Sequence, residues 1–389
     1  MRLALVHSAY SRTLPSGENS VVEAQAKLLR TRGHEVLLIQ AETDELFLKP
    51  LYMIRSMIQV TFGVGKSPFT DLSKFNPDFI LVHNLFPNFG STWIKKLKKT
   101  HKHVKILVVI HNFRYICASG NLLRNGIHCE KCVAGSPINA LIYRCYRNSF
   151  FYTVPWFVSR MLRVSKRNIL DNSDAIIALS AATVNQLKKI KNSKLNFLLL
   201  PNFVSSNTTF DSDASATTKN GKWVVVARLS TEKGIAKLVE RWPSELKLDI
   251  FGDGPEFSRI QELIKALPNI TLKGLISSTD IEQILPTYLG AIHCSLWIEI
   301  APLTVLEYHR AGLPVIYTGM NFIPFESDIE LVGVQLETYD TPHLKQACTI
   351  ILQNYRDASI KSHQAYLLNY SEDAWMLRFE NLLRKVQSL

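Results

Sequence analysis

Trp297-Ile-Glu299-Ile-Ala-Pro302-Leu-Thr-Val-Leu-Glu307-Tyr-His-Arg-Ala-Gly312-Leu-Pro-Val-Ile316 places two carboxylates eight positions apart. Glu299 follows the apolar run Ala291-Ile-His-Cys294 and its loop. Ala301-Pro-Leu-Thr304 then opens a helix that carries Glu307. The first amides of a helix have no carbonyl partner within it, so the backbone at Leu303 and Thr304 is available to phosphate or sugar oxygens. Glu299 is then placed to accept sugar hydroxyls, and Glu307 to accept those of a ribose. A plainer reading makes Glu299 an ordinary acid in the first turn of a helix. It does not explain Glu307, because a carboxylate beside Val305, Leu306 and Tyr308 calls for a partner.

Upstream, Val224-Val-Val-Ala-Arg228-Leu-Ser-Thr-Glu-Lys233-Gly234 reads as a strand running into a cationic turn. Two fixed cations five residues apart can flank a diphosphate and stabilise it as it leaves. A solvated turn is the alternative. Phe251-Gly252-Asp-Gly-Pro255 is a glycine turn after a strand, suited to close backbone approach to a nucleotide or simply to turning the chain.

These motifs sit in a repeating order of strands and helices. Leu3-Ala-Leu-Val-His7, the run ending at Ile39, Phe79–His83, Ile106–His111, Ala175–Leu179 and Phe197–Leu200 are continuous apolar runs. Between the first two, Val21 to Arg32 has helical spacing and stops at Gly33. Strands buried on both faces and separated by helices predict a parallel α/β sheet. The pattern restarts after the polar stretch 211–221, with runs at Trp223–Ala227, Leu248–Phe251, Ile270–Leu272, Ala291–Cys294 and Pro314–Tyr317. The expectation is two Rossmann-like domains, joined near Pro201–Phe203, with ligands bound at the carboxyl ends of the strands. A last helix starts at Ser371 as N-cap, followed by acidic residues.

The 389 residues, 47% hydrophobic and 20% charged, suffice for two globular cores. No stretch of about 20 residues is free of charge, so no transmembrane helix is expected. Met1-Arg-Leu-Ala-Leu-Val reads straight into a buried strand without a leader, which predicts a cytoplasmic protein with thiols rather than disulfides. The net charge of +12 is unevenly shared: residues 1–200 hold 28 Lys+Arg against 11 Asp+Glu, and residues 201–389 hold 17 against 22. The basic half calls for an anionic partner.

The residues resemble the retaining glycosyltransferases of family 4, which have the GT-B fold. The resemblance spans nearly the whole chain. It is carried by Ser16-Gly17-Glu-Asn, His83-Asn-Leu-Phe-Pro87, His111-Asn-Phe-Arg114 with Cys117, Arg228 to Gly234, Gly252-Asp-Gly-Pro255, and the E-x7-E pair Glu299 and Glu307. It implies an acceptor-binding domain over 1–202, with a cysteine-bearing insertion at 112–150. A donor-binding domain follows over 203–370, facing the first across a cleft, and the helix 371–389 crosses back to the first domain. It implies a nucleotide-diphosphate sugar donor, retention at the anomeric carbon, and no cofactor required for catalysis. By the same resemblance Arg228 and Lys233 hold the diphosphate, Gly17 brings an amide near it, and Glu299 contacts the sugar. Glu307 takes the ribose, and His111 bonds a sugar hydroxyl, with His83 a second histidine of that kind. Two departures are visible. Tyr317-Thr-Gly-Met-Asn-Phe-Ile-Pro324 stands where the family often has a glycine-rich turn, and Ile300 follows the first Glu. Donor and sugar choice are therefore not carried over.

Cys117, Cys129, Cys132 and Cys145 fall in the insertion as C-x11-C-x2-C-x12-C. They are read either as four ligands of a structural zinc or as buried thiols, with Cys145 in a helix. Lys95 to Lys105, and Arg160 to Arg167 beside the aromatic run Phe150 to Val158, suit a peripheral contact with an anionic membrane surface. The bland alternative is a set of solvated helix faces. The function expected is transfer of a sugar to a lipid-linked or oligosaccharide acceptor in surface polysaccharide or lipopolysaccharide synthesis. A nucleotide-sugar epimerase on the same fold is the second reading. A nucleic-acid-binding module is the third; it lacks any supporting motif, and no nucleic-acid partner is expected.

Overall fold

The apolar runs form strands, and those at the centre of each sheet are covered on both faces. In the computed structural model, which describes all residues except 11–16, 45–50, 190–194, 207–208, 214, 319–332, 337, 339 and 389, they build two six-stranded sheets. The first joins β1 (Arg2–Ala9), β2 (Glu35–Glu42), β3 (Phe79–Val82), β4 (Lys105–Ile110), β7 (Ala175–Ala178) and β8 (Phe197–Leu199), in the order β2-β1-β3-β4-β7-β8. The second joins β9 (Lys222–Val226), β10 (Lys247–Phe251), β11 (Ile270–Gly274), β12 (Gly290–His293), β13 (Val315–Thr318) and β14 (Gly333–Leu336), in the order β11-β10-β9-β12-β13-β14. Every pairing in both sheets is parallel. A short antiparallel hairpin, β5 (Leu123–Arg124) with β6 (Ile127–His128), lies in the insertion.

The chain divides into two compact units. One comprises Met1–Leu122, Glu130–Leu200 and the segment from Leu377 on; the other comprises Leu123–Cys129 and Pro201–Met376. The last helix, Glu372–Gln387, thus ends in the first unit. Its start is capped by the Ser371 hydroxyl, which accepts from the Ala374 amide at 3.3 Å.

Alternation along β9 shows how the second sheet is buried. Trp223 and Val225 join one core with Leu248, Ile250 and Ile292, while Val224 joins another with Ala291, Val305 and Val315. In the first unit Leu3 to Val6 are fully buried. The Val21–Arg32 helix starts earlier than its spacing suggests, spanning Gly17–Thr31. Gly33 ends it at φ +82°, and the His34 amide reaches the Leu29 carbonyl at 3.1 Å. Among the described residues, no helix is long and apolar enough to cross a membrane.

Candidate functional site

Parallel strands deliver their carboxyl ends to one edge, so the chain segments leaving β9, β10 and β12 come together there. Leaving β9, Ala227 and Leu229 bond back to the carbonyls of Phe251 and Asp253 at 3.1 and 2.9 Å. Gly252 permits this: a Cβ there would lie 1.9 Å from the Ala227 carbonyl oxygen. The glycine turn therefore serves the approach of one backbone to another. The segment then forms a short 3-10 turn, Thr231–Lys233, ended by Gly234 at φ +72°. A Cβ on Gly234 would stand 2.3 Å from the Cys294 carbonyl oxygen just past β12.

Lys233 and Glu299 meet at this edge, with Nζ 2.7 Å from Oε2. The Ser295 hydroxyl donates to the other carboxylate oxygen, and His293 Nε2 stands 3.7 Å from it. Glu299 is buried and lies in the loop before the helix Leu303–Arg310, so it is not a first-turn acid. Burial works to raise its pKa. Lys233, His293 and the two hydrogen bonds outweigh this and hold the carboxyl below its ordinary value. Burial pushes the His293 pKa down to about 4, which leaves the ring neutral at pH 7. His293, Ser295 and Trp297, whose ring lies 5.9 Å from Lys233 Nζ, were not singled out in the sequence. Their position at the carboxyl end of an apolar run was the available signal.

The helix Leu303–Arg310 follows Pro302 without a side-chain cap. Its first bond back runs from Val305 to the Pro302 carbonyl at 3.1 Å, so the amides of Leu303 and Thr304 face an open helix start. Glu307 lies one turn further on and makes no side-chain hydrogen bond or ion pair with a described residue. Burial raises its pKa to about 7, with Arg310 pulling down and Glu282 pushing up. Arg228 is exposed, and its guanidinium likewise has no ion-pair partner among the described residues.

In the first unit the strand order β1-β3-β4 gathers three histidines. His7 lies within β1, His83 follows β3 and His111 follows β4. His83 Nδ1 and His111 Nε2 are 2.8 Å apart, and the His7 and His83 ring centres are 6.3 Å apart. Burial, then the neighbouring rings, drives the His83 pKa well below its ordinary value; burial with His7 takes His111 to about 3. His111 is therefore not a lone strand-end residue: Nε2 is engaged by His83, and Nδ1 makes no hydrogen bond among the described residues. His7 Nε2 meets Asn19 Oδ1 at 2.9 Å, and Glu18, in the first turn of the Gly17–Thr31 helix, places Oε1 3.9 Å from His7 Nδ1. Gly17 opens that helix; Ser16 and residues 319–324 lie outside the described residues.

Among the described residues no group of three His, Cys, Asp or Glu is placed to hold a metal, and Cys117, Cys129, Cys132 and Cys145 are each half-buried. Cys145 sits in a turn rather than a helix. The basic run at 95–105 is partly neutralised, because Lys98 and Lys105 reach Asp174 at 2.5 and 4.0 Å.

Two family profiles match the chain in succession: "Glycosyltransferase Family 4" over residues 15–207 and "Glycosyl transferases group 1" over residues 207–363. No curated protein matches. Among solved structures, Anabaena HepE in complex with UDP-glucose shares 14% identity at a TM-score of 0.61, covering 100% of both chains. The lipopolysaccharide outer core galactosyltransferase WaaB in its apo form shares 14% at 0.59, covering 99% of each chain. S. aureus TarM in complex with fondaparinux, alpha-GlcNAc-glycerol and UDP shares 16% at 0.55; 81% of this chain is covered, and the chain spans 57% of that protein's length. At such identities the likeness is one of fold, and that fold is GT-B. With both profiles placed in series on the two sheets, the chain belongs to the family 4, group 1 glycosyltransferases.

Proposed function

We propose that this enzyme moves a sugar, with retention at the anomeric carbon, from a nucleotide-diphosphate sugar to a saccharide acceptor. The observation that carries the reading is the pairing of half-buried Lys233 with buried Glu299 beside the uncapped start of the Leu303–Arg310 helix. A diphosphate arriving at this edge meets Arg228, Lys233 and the amides of Leu303 and Thr304. As Lys233 turns to the phosphate, Glu299 is released to accept sugar hydroxyls. Glu307, charged once it accepts the ribose hydroxyls, fixes the nucleoside. His111 offers Nδ1 to a sugar hydroxyl. No side chain here is proposed as a nucleophile. The leaving phosphate accepts the acceptor's proton on the same face, and the cations carry its growing charge.

The acceptor in this proposal is lipid-linked, the product is a surface polysaccharide or lipopolysaccharide, and the protein works at the cytoplasmic face of a membrane. The charge of residues 1–200 supports this, as does exposed apolar surface at Phe151 and Met161 next to Arg160 and Arg163. UDP-glucose, the ligand of HepE, is the first donor to try. A thermal-shift panel of UDP-, GDP-, ADP- and CMP-sugars, with Glu299→Ala and Lys233→Ala alongside, tests the donor site. One nucleotide class should stabilise the wild type, and both variants should weaken the shift. A shift that both variants keep unchanged would remove this site from the reading. Salt-sensitive flotation with anionic vesicles tests the membrane part.

A further inference from the structure

The first unit carries a partly open cavity of about 710 Å³ that the proposed reaction does not fully use. Its inner end is polar, formed by Glu18, His83, His111 and Asn84. Its flanks are the helices Tyr52–Phe62, Phe150–Met161 and Val164–Asn168, which contribute Met53, Met57, Val60 and Trp156. Among the described residues five cations line it: Arg114, Arg147, Arg160, Arg163 and Lys166. The single acid among the described residues of the lining is Glu18, whose pKa burial raises to about 8, against the pull of Arg114 and Asn84, so that it is mostly uncharged at neutral pH.

Two features of this wall call for a ligand. Arg147, Arg160 and Arg163 make no ion pair with a carboxylate among the described residues. Arg160 is half-buried, and burial lowers its pKa. Arg147 and Arg163 are exposed, so the cost of withdrawal from water without a carboxylate falls on Arg160, and an anion entering the cavity offsets that cost while drawing in the other two guanidiniums. The second feature is the Tyr52–Phe62 helix. It is rich in apolar residues and buries none of them fully; Met53 and Ile54 are each 53% exposed. Beside it Phe151 is 78% exposed. Apolar surface continuous with a cationic pocket is matched by one kind of molecule, an anionic head on a long hydrocarbon chain.

We propose that this cavity binds a phosphorylated lipid, its phosphate held by Arg147, Arg160 and Arg163 and its chain laid along the Tyr52–Phe62 and Phe150–Met161 helices. The inference rests on the lipid-linked acceptor above and gives it a place. The probes are farnesyl diphosphate, farnesol and inorganic pyrophosphate, each titrated as a monomer against the full chain by equilibrium dialysis. Farnesyl diphosphate should bind at least about tenfold more tightly than either fragment. The double variant Arg160→Gln/Arg163→Gln should weaken farnesyl diphosphate about tenfold and leave farnesol unchanged. Ile54→Glu should weaken both prenyl compounds and leave pyrophosphate unchanged. Pyrophosphate binding as tightly as farnesyl diphosphate would overturn the proposal in favour of a plain phosphate site. So would two variants without effect. Thermal shift by UDP-glucose, measured in the same samples, reports both folding and the donor site. If that shift persists while no lipid phosphate binds, the cavity proposal fails alone. If lipid phosphate binds but no donor does, the transfer reading fails instead.

Discussion

The carboxylates of the two strand-end clusters are matched in opposite ways. In the second unit both oxygens of the buried carboxylate Glu299 have a hydrogen-bond donor, Lys233 and Ser295, and its charge is stabilised before any ligand arrives, although His293 Nε2 beside it is buried without a hydrogen-bond partner. In the first unit His7 Nδ1, Glu18 Oε1 and His83 Nε2 are buried without a hydrogen-bond partner. A satisfied carboxylate holds its geometry in advance and exchanges one partner for another when substrate binds. An unsatisfied one costs stability until something enters. The difference teaches where each unit's energy is held: in a preformed ion pair on the donor side, and in desolvated neutral rings on the other.

The largest expected effect is on acid stability. The pKa values of His83 and His111 are lower folded than the roughly 6.5 expected of an unfolded histidine. The unfolded state therefore binds more protons below about pH 6.5, and stability falls as pH falls. His111 should give a slope of about 1.4 kcal/mol per pH unit between about pH 4.5 and about pH 6, His83 adds to it in the same direction, and His111→Gln should remove the His111 share. Urea unfolding at several pH values measures this; an unchanged slope would mean that the histidines are hydrated and the contrast is false.

Next comes the ion pair. Lys233→Ala should lower kcat/KM by about 10²- to 10³-fold, because a cation aimed at the leaving phosphate is lost. The variant also leaves Glu299 buried and unpaired, a destabilisation of about 3 kcal/mol at neutral pH. Glu299 has a depressed folded pKa, so the pair's contribution is present above about pH 4.3 and lost as pH falls through the lower folded value. The stability gap between wild type and variant should close in acid. A constant gap would show that Lys233 acts by packing.

A smaller effect sharpens the comparison within the second unit. Glu307→Gln should raise the donor KM about tenfold with kcat little changed, as expected when one charged acceptor of ribose hydroxyls is lost. Its folded pKa of about 7 means that wild-type stability falls as pH rises from about 4.3 towards 7, and that donor affinity climbs over the upper part of this range. Both trends should be flat in the variant. The smallest effect belongs to exposed Arg228: Arg228→Ala should cost roughly three- to fivefold in donor affinity, and the loss should shrink at high salt.

Much of this was legible in the residues. Continuous apolar runs marked eleven of the strands, the eight central ones because both of their faces are buried and the edge strands β2, β8 and β11 although they are only partly so, and the Glu299–Glu307 spacing marked a loop and the helix after it. What escaped has a physical reason in each case. β14 buries only Leu336, so its apolar signal is slight. The β5–β6 hairpin turns at Asn125-Gly126, both at positive φ, but its strands are two residues long. The Tyr52–Phe62 helix leaves its apolar residues half-exposed, so periodicity against a core had nothing to detect. His7 joins His83 and His111 only through the strand order, which no local pattern encodes.

The segment from Ala227 to Gly234 is held by backbone on two sides, through Gly252 at the Ala227 carbonyl and Gly234 at the Cys294 carbonyl. Contacts of that kind are indifferent to which side chains surround them. The frame that presents Arg228 and Lys233 can therefore stay constant while Ser295, Trp297 and Ile300 change, so a lineage can drift in the sugar it accepts without rebuilding the place where it grips the phosphates.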